Sequence, residues 1–261
     1  MKYVNQAGAR SATPISVIMP VHNGAEFLVP ALNSVLAQSL APAEIVVVDD
    51  GSTDATPEIL ECYRDRIQTV RQAHAGCAAA RNLGVKTSSG DLITFMDCDD
   101  VMHPRRLELS LSALEAIAGA DLCIHFVENF WIAELEAERE RFRNHHLTKP
   151  QLGYLLPSML IWRPVMERVG AFDPAYAIGE DTDWFIRAEE LGLSIVALDR
   201  VLLYRRIHRN NITRRRANLA KDCLVRMVSA ARRRRAAAGE KSCRFEFPAG
   251  PPSELRLATV P

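Results

Sequence analysis

Two acidic clusters follow apolar runs that are typical of β-strands, in positions where carboxylates can bind a ligand. Asp97 and Asp99 come directly after the run 91–96, and Asp49 and Asp50 come after a similar run. Two carboxylates at positions i and i+2 around a tight turn can meet one divalent cation, and Mg²⁺ and Mn²⁺ prefer such oxygen ligands. Solvated turns and helix caps are the simpler interpretations, so neither cluster alone identifies a function.

Arg81, Glu180, Asp181 and Trp184 each have a chemical interpretation beside a structural one. The guanidinium of Arg81 suits a phosphate group, but it could equally pair with a neighbouring aspartate. Glu180 and Asp181 begin a helical pattern, where the helix dipole favours carboxylates and where a general base could meet an acceptor hydroxyl. Trp184 could form the wall of a sugar site, although tryptophan is more often buried in a core.

His208 differs from the other histidines because it follows a predicted strand and lies among cationic and polar residues. Neutral imidazole is a common metal ligand, so His208 is a candidate ligand for Mn²⁺. A single histidine without such neighbours is usually structural. We therefore expect structural roles for the other six histidines, which are residues 22, 74, 103, 125, 145 and 146.

The elements that must position these residues alternate between strands and helices. Four βα units with short loops predict an α/β fold with an open, doubly wound, mostly parallel sheet. Ligands in such sheets bind at the carboxyl ends of the strands, where the acidic clusters lie. The predicted strands are 15–20, 44–48, 67–71, 91–96, 122–130, 155–162 and 196–204; the predicted helices are 26–40, a segment from Pro57, 76–85, 104–117, 134–143 and 183–191.

The composition of the 261-residue chain, with 48% hydrophobic and 25% charged residues, is that of an ordinary globular protein. It excludes a disordered, collagenous or disulfide-scaffold chain. No apolar run approaches the roughly 18 residues of a membrane-spanning helix, and residues 1–13 lack the apolar core of a signal peptide. We therefore expect a cytoplasmic location. The six cysteines form no Cys-x-x-Cys pair, which favours small buried residues over a zinc site or disulfides.

Six short motifs between residues 14 and 212 resemble, in their order and spacing, the family 2 glycosyltransferases of the GT-A fold. Each motif is weak alone, and the set in this order is specific. The motifs are Pro20-Val21-His22-Asn23 with Glu26, Asp49-Asp50-Gly-Ser-Thr-Asp54, Arg81-Asn82, Asp97-Cys98-Asp99-Asp100, Glu180-Asp181 and His208.

The resemblance implies a role for each matching position. Asp181 matches the catalytic base, Asp99 matches the metal ligand at the diphosphate, and His208 matches a histidine that completes the metal site. Glu180 and Trp184 fall on the acceptor side. The positions implied to bind the nucleotide-sugar donor are Pro20, Val21, His22, Asn23, Glu26, Asp50, Arg81, Asp97 and Cys98. His22 replaces the aromatic residue usually found beside the base, and Cys98 replaces a small residue.

The reaction implied by the resemblance is a single displacement at the anomeric carbon of a nucleotide sugar, with inversion. The expected donor is a UDP-sugar, the expected cofactor is Mn²⁺ or Mg²⁺, and the acceptor is a hydroxyl of a saccharide or glycoconjugate. Acceptors in this family are bound largely by the second half of the domain, and residues 130–174 contain no motif that identifies one.

Three other functions are alternatives to glycosyl transfer for this sequence. A nucleotidyltransferase acting on a sugar phosphate would normally carry a basic, glycine-rich loop after its first strand, whereas residues 20–24 contain one glycine and no Lys or Arg. A non-catalytic nucleotide-sugar-binding module would be expected to lack Asp99, Asp181 or His208. A nucleic-acid binder would need stacking residues beside its cations, and residues 205–235 contain no aromatic residue.

The chain has no formal net charge, but the cations are concentrated near its C-terminus. Residues 200–244 contain 15 Lys or Arg and two acids, a net charge of +13. One interpretation is a solvated basic helix. The other is that Arg205, Arg206 and Arg209 face the donor diphosphate while later arginines contact an anionic membrane peripherally, at its inner face.

The predicted segments are an extension (1–13), a GT-A domain (14–212, with halves 14–128 and 129–212), a basic helix (213–240) and a loosely ordered tail (241–261).

Overall fold

The computed structural model describes residues 13–215, 219–237 and 256–258. Strands and helices alternate through the first half of the chain, as predicted. The strands there are β1 (Ile15–Val21), β2 (Glu44–Asp49), β3 (Gln68–Arg71), β4 (Leu92–Phe95) and β5 (Val101–Met102), and the helices are α1 (Ala25–Leu36), α2 (Thr56–Cys62), α3 (Cys77–Thr87) and α4 (Arg106–Ala116).

The second half of the chain adds longer strands and the helices that complete the sheet. Its strands are β6 (Leu122–Trp131), β7 (Gln151–Leu152), β8 (Met159–Trp162), β9 (Ile195–Ile207) and β10 (Arg256–Ala258). Its helices are α5 (Glu136–Arg141), α6 (Arg163–Val169), α7 (Glu180–Glu190), α8 (Ile212–Arg215) and α9 (Ala220–Ala237).

All ten strands of the described chain join one sheet, whose main order is β3-β2-β1-β4-β8-β6-β9-β10. The pairs β3-β2, β2-β1, β1-β4 and β6-β9 are parallel, whereas β8 runs antiparallel to both of its neighbours. The prediction of a mostly parallel, doubly wound α/β sheet is confirmed. The register of β1 and β2 places Val21 opposite Asp49, so the two following loops begin side by side.

Helices cover both faces of the sheet, because alternate residues of each central strand point to opposite sides. Val17 and Met19 of β1 belong to a core cluster with residues of α1, α2 and α4. Ile18, between them, belongs to a second cluster with residues of α3, α6 and α7. Burying an aliphatic side chain in this way contributes about 1.5–3 kcal/mol, so the strand ends rest on a well-packed base.

The second half departs from the sequence prediction in four places. Residues 156–158 form a 3₁₀ turn, and the strand begins only at Met159, because Pro157 has no N–H for a sheet ladder. The helix α6 was not predicted. The predicted basic helix 213–240 has two described helical segments, α8 and α9. Within the predicted loose tail, residues 256–258 form an edge strand against β9, because backbone pairing there satisfies an otherwise open edge.

The remaining residues of the predicted tail and nearly all of the predicted N-terminal extension lie outside the described residues. Among the helices described, none has the combination of length and apolar character needed to cross a membrane.

Candidate functional site

The acidic loop after β4 lies beside the end of β9. The Nε2 atom of His208 is 2.9 Å from Oδ2 of Asp99, and carboxylate oxygens of Asp97, Asp99 and Asp100 lie within 4.8 Å of one another. The structure thus brings together the two residues predicted as metal ligands, although they are 109 positions apart in the sequence.

Three further residues, Asn211, Phe27 and Arg206, hold Asp99 and His208 in place, and no role at the site was predicted for Asn211 or Phe27. Asn211 donates from Nδ2 to Oδ2 of Asp99 at 3.3 Å, and its Oδ1 accepts from the backbone N–H of His208 at 2.7 Å. The ring of Phe27 lies 4.6 Å from the His208 ring. Arg206 donates from Nε to the carbonyl of Asp99 and lies between two phenylalanine rings. The sequence signal for Asn211 was its position three residues after His208, in the same polar stretch.

The contacts of Arg206 show a structural role, whereas facing the donor diphosphate was one of two interpretations that the sequence left open. Its guanidinium supports the backbone of the acidic loop, and its backbone N–H donates to Oδ1 of Asp100. Arg205 donates to the hydroxyl of Thr213.

A divalent cation fits the acidic loop, judged from its donors and their charge. Burial raises the pKa of Asp97, and the neighbouring charge of Asp99 raises it further. Burial, followed by the charges of Asp99 and Asp97, raises the pKa of Asp100 well above its usual range. Carboxylates so close repel one another, and a cation relieves that repulsion. Carboxylate oxygens with one imidazole nitrogen are a donor set suited to Mn²⁺ or Mg²⁺.

Arg81 joins the acidic loop to the start of α7. Its buried guanidinium donates to Oδ1 of Asp97 at 2.7 Å and also to Oε1 of Glu180. Although burial lowers the pKa of Arg81, the surrounding groups raise it well above its usual value, first Cys77 and then the two acids. The sequence left phosphate binding and ion pairing open, and the structure shows the ion pair.

Glu180 was predicted on the acceptor side, and in the structure its carboxylate pairs with Arg81. Because its carboxylate is largely buried and pairs with Arg81, it serves to anchor α7. Trp184 was predicted on the same side, and that prediction is wrong. Its side chain is fully buried in the core against Phe172 and Phe185, one turn into the helix and on its inner face.

Asp181 lies at the N-terminal end of α7, next to the Arg81 ion pair. Burial raises the pKa of its carboxyl to about 6, and the negative charge of Glu180 adds to the increase. Its Oδ1 accepts from the backbone N–H of Thr182 at 2.7 Å. Gly179 starts the helix with a left-handed φ of 83°, which an L-residue with a side chain adopts only under strain. A carboxyl with this pKa is ionised at neutral pH and is a good proton acceptor.

At the ends of β1 and β2, the carboxylate of Asp50 is buried and fully engaged. Its Oδ1 accepts from Gln72 Nε2 and from the backbone N–H of Ala75, and its Oδ2 accepts from the backbone N–H of Gly76. The imidazole of His74 lies 2.8 Å from Oδ2. The sequence prediction treated Asp50 as an acceptor for a base, and in the structure these groups occupy its acceptor positions.

His22 and His74 form a stacked pair beside Asp50, with ring centroids 4.0 Å apart. Nδ1 of His22 lies 2.8 Å from the carbonyl oxygen of Asp50. Both rings are exposed. The sequence prediction placed His22 beside the base but assigned only a structural role to His74.

The remaining predicted donor residues lie around the same strand ends. Asn23, at φ 51°, links the loops after β1 and β2, because its Oδ1 accepts from the backbone N–H groups of Thr53 and Asp54. Its amide oxygen is therefore engaged in the fold. Pro20 and Val21 are buried at the end of β1, Glu26 is exposed in the first turn of α1, and Cys98 is half-buried in the acidic loop.

The fold is similar to solved structures of TarS from S. aureus. TarS residues 1–349 in complex with UDP gives a TM-score of 0.60 at 23% sequence identity, covering 74% of this chain and 60% of that chain. The same fragment in complex with UDP-GlcNAc gives a TM-score of 0.60 at 20% identity, covering 76% of this chain and 60% of that chain. At this identity the likeness shows the fold, which is of the predicted GT-A type.

Curated relatives are named as glycosyltransferases. An uncharacterized glycosyltransferase of Rickettsia typhi is 29% identical over 213 residues, which are 74% of this chain and 64% of that protein. YibD of Escherichia coli, also an uncharacterized glycosyltransferase, is 34% identical over 130 residues, or 46% of this chain and 38% of that protein. The chain thus spans less than two thirds of the length of these relatives. The family profile described as glycosyl transferase family 2 matches residues 16–169, more than half of the chain, and the chain therefore belongs to that family.

Proposed function

We propose that this chain transfers a sugar from a nucleoside diphosphate sugar to a hydroxyl of a saccharide or glycoconjugate, with inversion at the anomeric carbon. The observation that carries the proposal is the Arg81 bridge. Through Asp97 and Glu180, it joins the loop that bears Asp99 to the turn that bears Asp181. A candidate metal site and a candidate base are thereby held on elements that one pair of ion bonds joins.

Asp181 acts as the general base in this proposal. Its carboxylate takes the proton of the acceptor hydroxyl while that oxygen attacks the anomeric carbon, and the bond from that carbon to the diphosphate oxygen breaks. The attack comes from the face opposite the leaving group, so the configuration inverts. With a pKa of about 6, Asp181 is ionised before the reaction and still basic enough to accept the proton.

Asp99 and His208 would hold Mn²⁺ or Mg²⁺, with Asp97 as a further ligand or a contact to the ribose. When bound, the cation supplies positive charge next to the departing diphosphate. Asn211 and Arg206 keep the carboxylate and carbonyl of Asp99 in place, so the site is preorganised before a donor arrives.

The nucleotide base is proposed to bind at the ends of β1 and β2, among His22, Asp50 and His74. Because Asp50 is already saturated, the base either displaces His74 from its carboxylate or stacks on the histidine pair. We propose a UDP-sugar as donor, because TarS, whose fold is similar, forms complexes with UDP and with UDP-GlcNAc.

The test is a panel of nucleotide sugars incubated with the wild-type chain and Mn²⁺, first without and then with saccharide acceptors. The proposal expects release of a nucleoside diphosphate from at least one donor and formation of a glycoside. Release of pyrophosphate would favour a nucleotidyltransferase, and donor binding without turnover on any acceptor would favour a non-catalytic module.

A further inference from the structure

The helix α9 packs on the protein with one face only. Cys223 and Met227 are buried against Tyr176 and Ile186, which belong to the region around α7. A Cβ atom placed on Gly179 would lie 2.5 Å from Cε of Met227, so α9 sits directly behind the turn that carries Asp181. The helix is thus attached to the elements of the proposed active site.

The opposite face of α9 carries an apolar stripe that no described residue covers. Leu224, Val225 and Val228 are 54%, 65% and 40% exposed, and they make up half of the six large exposed hydrophobic residues in the described chain. Val228 follows Leu224 by four positions and Val225 by three, which places the three side chains on one side of the helix. Arg232 follows Val228 by four positions and continues the same stripe.

The four arginines at the C-terminal end of the stripe differ in whether they have an acidic partner. Arg234 and Arg235 lie near the carboxylate of Glu190, at 2.6 and 3.7 Å. Arg232 and Arg233 are exposed and form no ion pair with any residue that the structure describes. Asp222 is the single acid of α9, so a partner for this face must supply the negative charge.

We infer that this face of α9 docks on an anionic lipid surface, with Leu224, Val225 and Val228 entering the acyl boundary and Arg232 and Arg233 meeting lipid phosphates. Apolar residues beside cations on one helix face are the combination that binds such surfaces. A second copy of this chain is the weaker candidate, because the same face of that copy would offer Asp222 as its one helical acid. This inference goes beyond the proposed transferase activity and does not depend on it.

The inference is tested by flotation of the full chain with vesicles of phosphatidylcholine alone or of phosphatidylcholine with one third phosphatidylglycerol. We expect binding to the anionic vesicles at low salt, weak binding to the neutral ones, and release in 0.5 M NaCl, because salt screens exposed charges. The triple variant Leu224→Ser, Val225→Ser, Val228→Ser and the double variant Arg232→Gln, Arg233→Gln should each lose at least tenfold in partitioning.

Matched controls separate docking from general surface effects and from misfolding. Val29→Ser alters an exposed valine on α1, and Arg139→Gln, Arg143→Gln alters two exposed arginines on α5. Both controls should bind vesicles like the wild type, and all variants should keep the wild-type circular dichroism spectrum. Equal binding of the α9 variants and the wild type, or no binding to anionic vesicles at low salt, would overturn the inference. So would a wild-type dimer in sedimentation that the triple variant dissociates, since a second copy would then cover the stripe.

Discussion

The imidazole of His208 lies 2.9 Å from the carboxylate of Asp99, and Asn211 contacts both residues. The three residues form a ring of hydrogen bonds at the end of β9. Asn211 therefore holds both candidate metal ligands in position. Removal of this support should weaken metal binding without removing a ligand.

Asn211→Ala should therefore reduce Mn²⁺ affinity about 10- to 100-fold, as is common when a residue that orients a ligand is lost. Asp99→Ala and His208→Ala should reduce it further. Titration calorimetry with Mn²⁺ in the presence of UDP measures this. The matched control is Asn33→Ala on α1, which removes the acceptor of a hydrogen bond donated by the Tyr63 hydroxyl. An Asn211→Ala variant with the affinity of the control would show that Asn211 does not orient the site.

The pH dependence of transfer should follow the ionisation of Asp181. Its pKa is raised to about 6 by burial, so below pH 6 the carboxyl is increasingly protonated and cannot accept a proton. We expect kcat/KM to fall about tenfold per pH unit below this value and to level off above it. A profile measured at saturating metal tests this. A flat profile between pH 5 and 7 would argue against Asp181 as the base.

Loss of the Arg81 cation should destabilise the whole chain. Arg81→Met leaves the largely buried carboxylate of Glu180 and the half-buried carboxylate of Asp97 without their partner, and breaking a buried pair such as Arg81–Glu180 costs about 3–5 kcal/mol. Arg139→Met breaks the exposed pair with Glu136 and should cost less than about 1 kcal/mol. Urea unfolding of both variants gives the comparison, and similar free energies of unfolding would contradict the bridging role.

His74→Ala should increase donor affinity. The substitution frees one acceptor position on Oδ2 of Asp50 and exposes a face of the His22 ring, both at the proposed base site. Because one competing hydrogen bond is removed, we expect roughly 2- to 10-fold tighter UDP binding by calorimetry. A weaker affinity would mean that His74 contacts the base directly.

The strand ends that carry Asp50 and Asp99 could be predicted because buried strands are continuous apolar runs and turn residues follow them. The pairing of Asp99 with His208 was expected only through the family resemblance, since no local pattern reports a contact across 109 positions. The prediction for Trp184 was wrong for a related reason. The helical period shows that α7 has two faces, but the packing of α7 on the sheet decides which of its side chains are buried.

The most direct test of the central claim compares Asp181→Asn with the wild type in the same preparation and with the same donor. The substitution keeps the size of the side chain and removes its basicity. Binding of UDP and Mn²⁺ should stay within about threefold of wild type, while the rate of sugar transfer should fall about 10²- to 10⁴-fold. Transfer by Asp181→Asn at the wild-type rate would contradict the assignment of Asp181 as the base and, with it, the proposed mechanism.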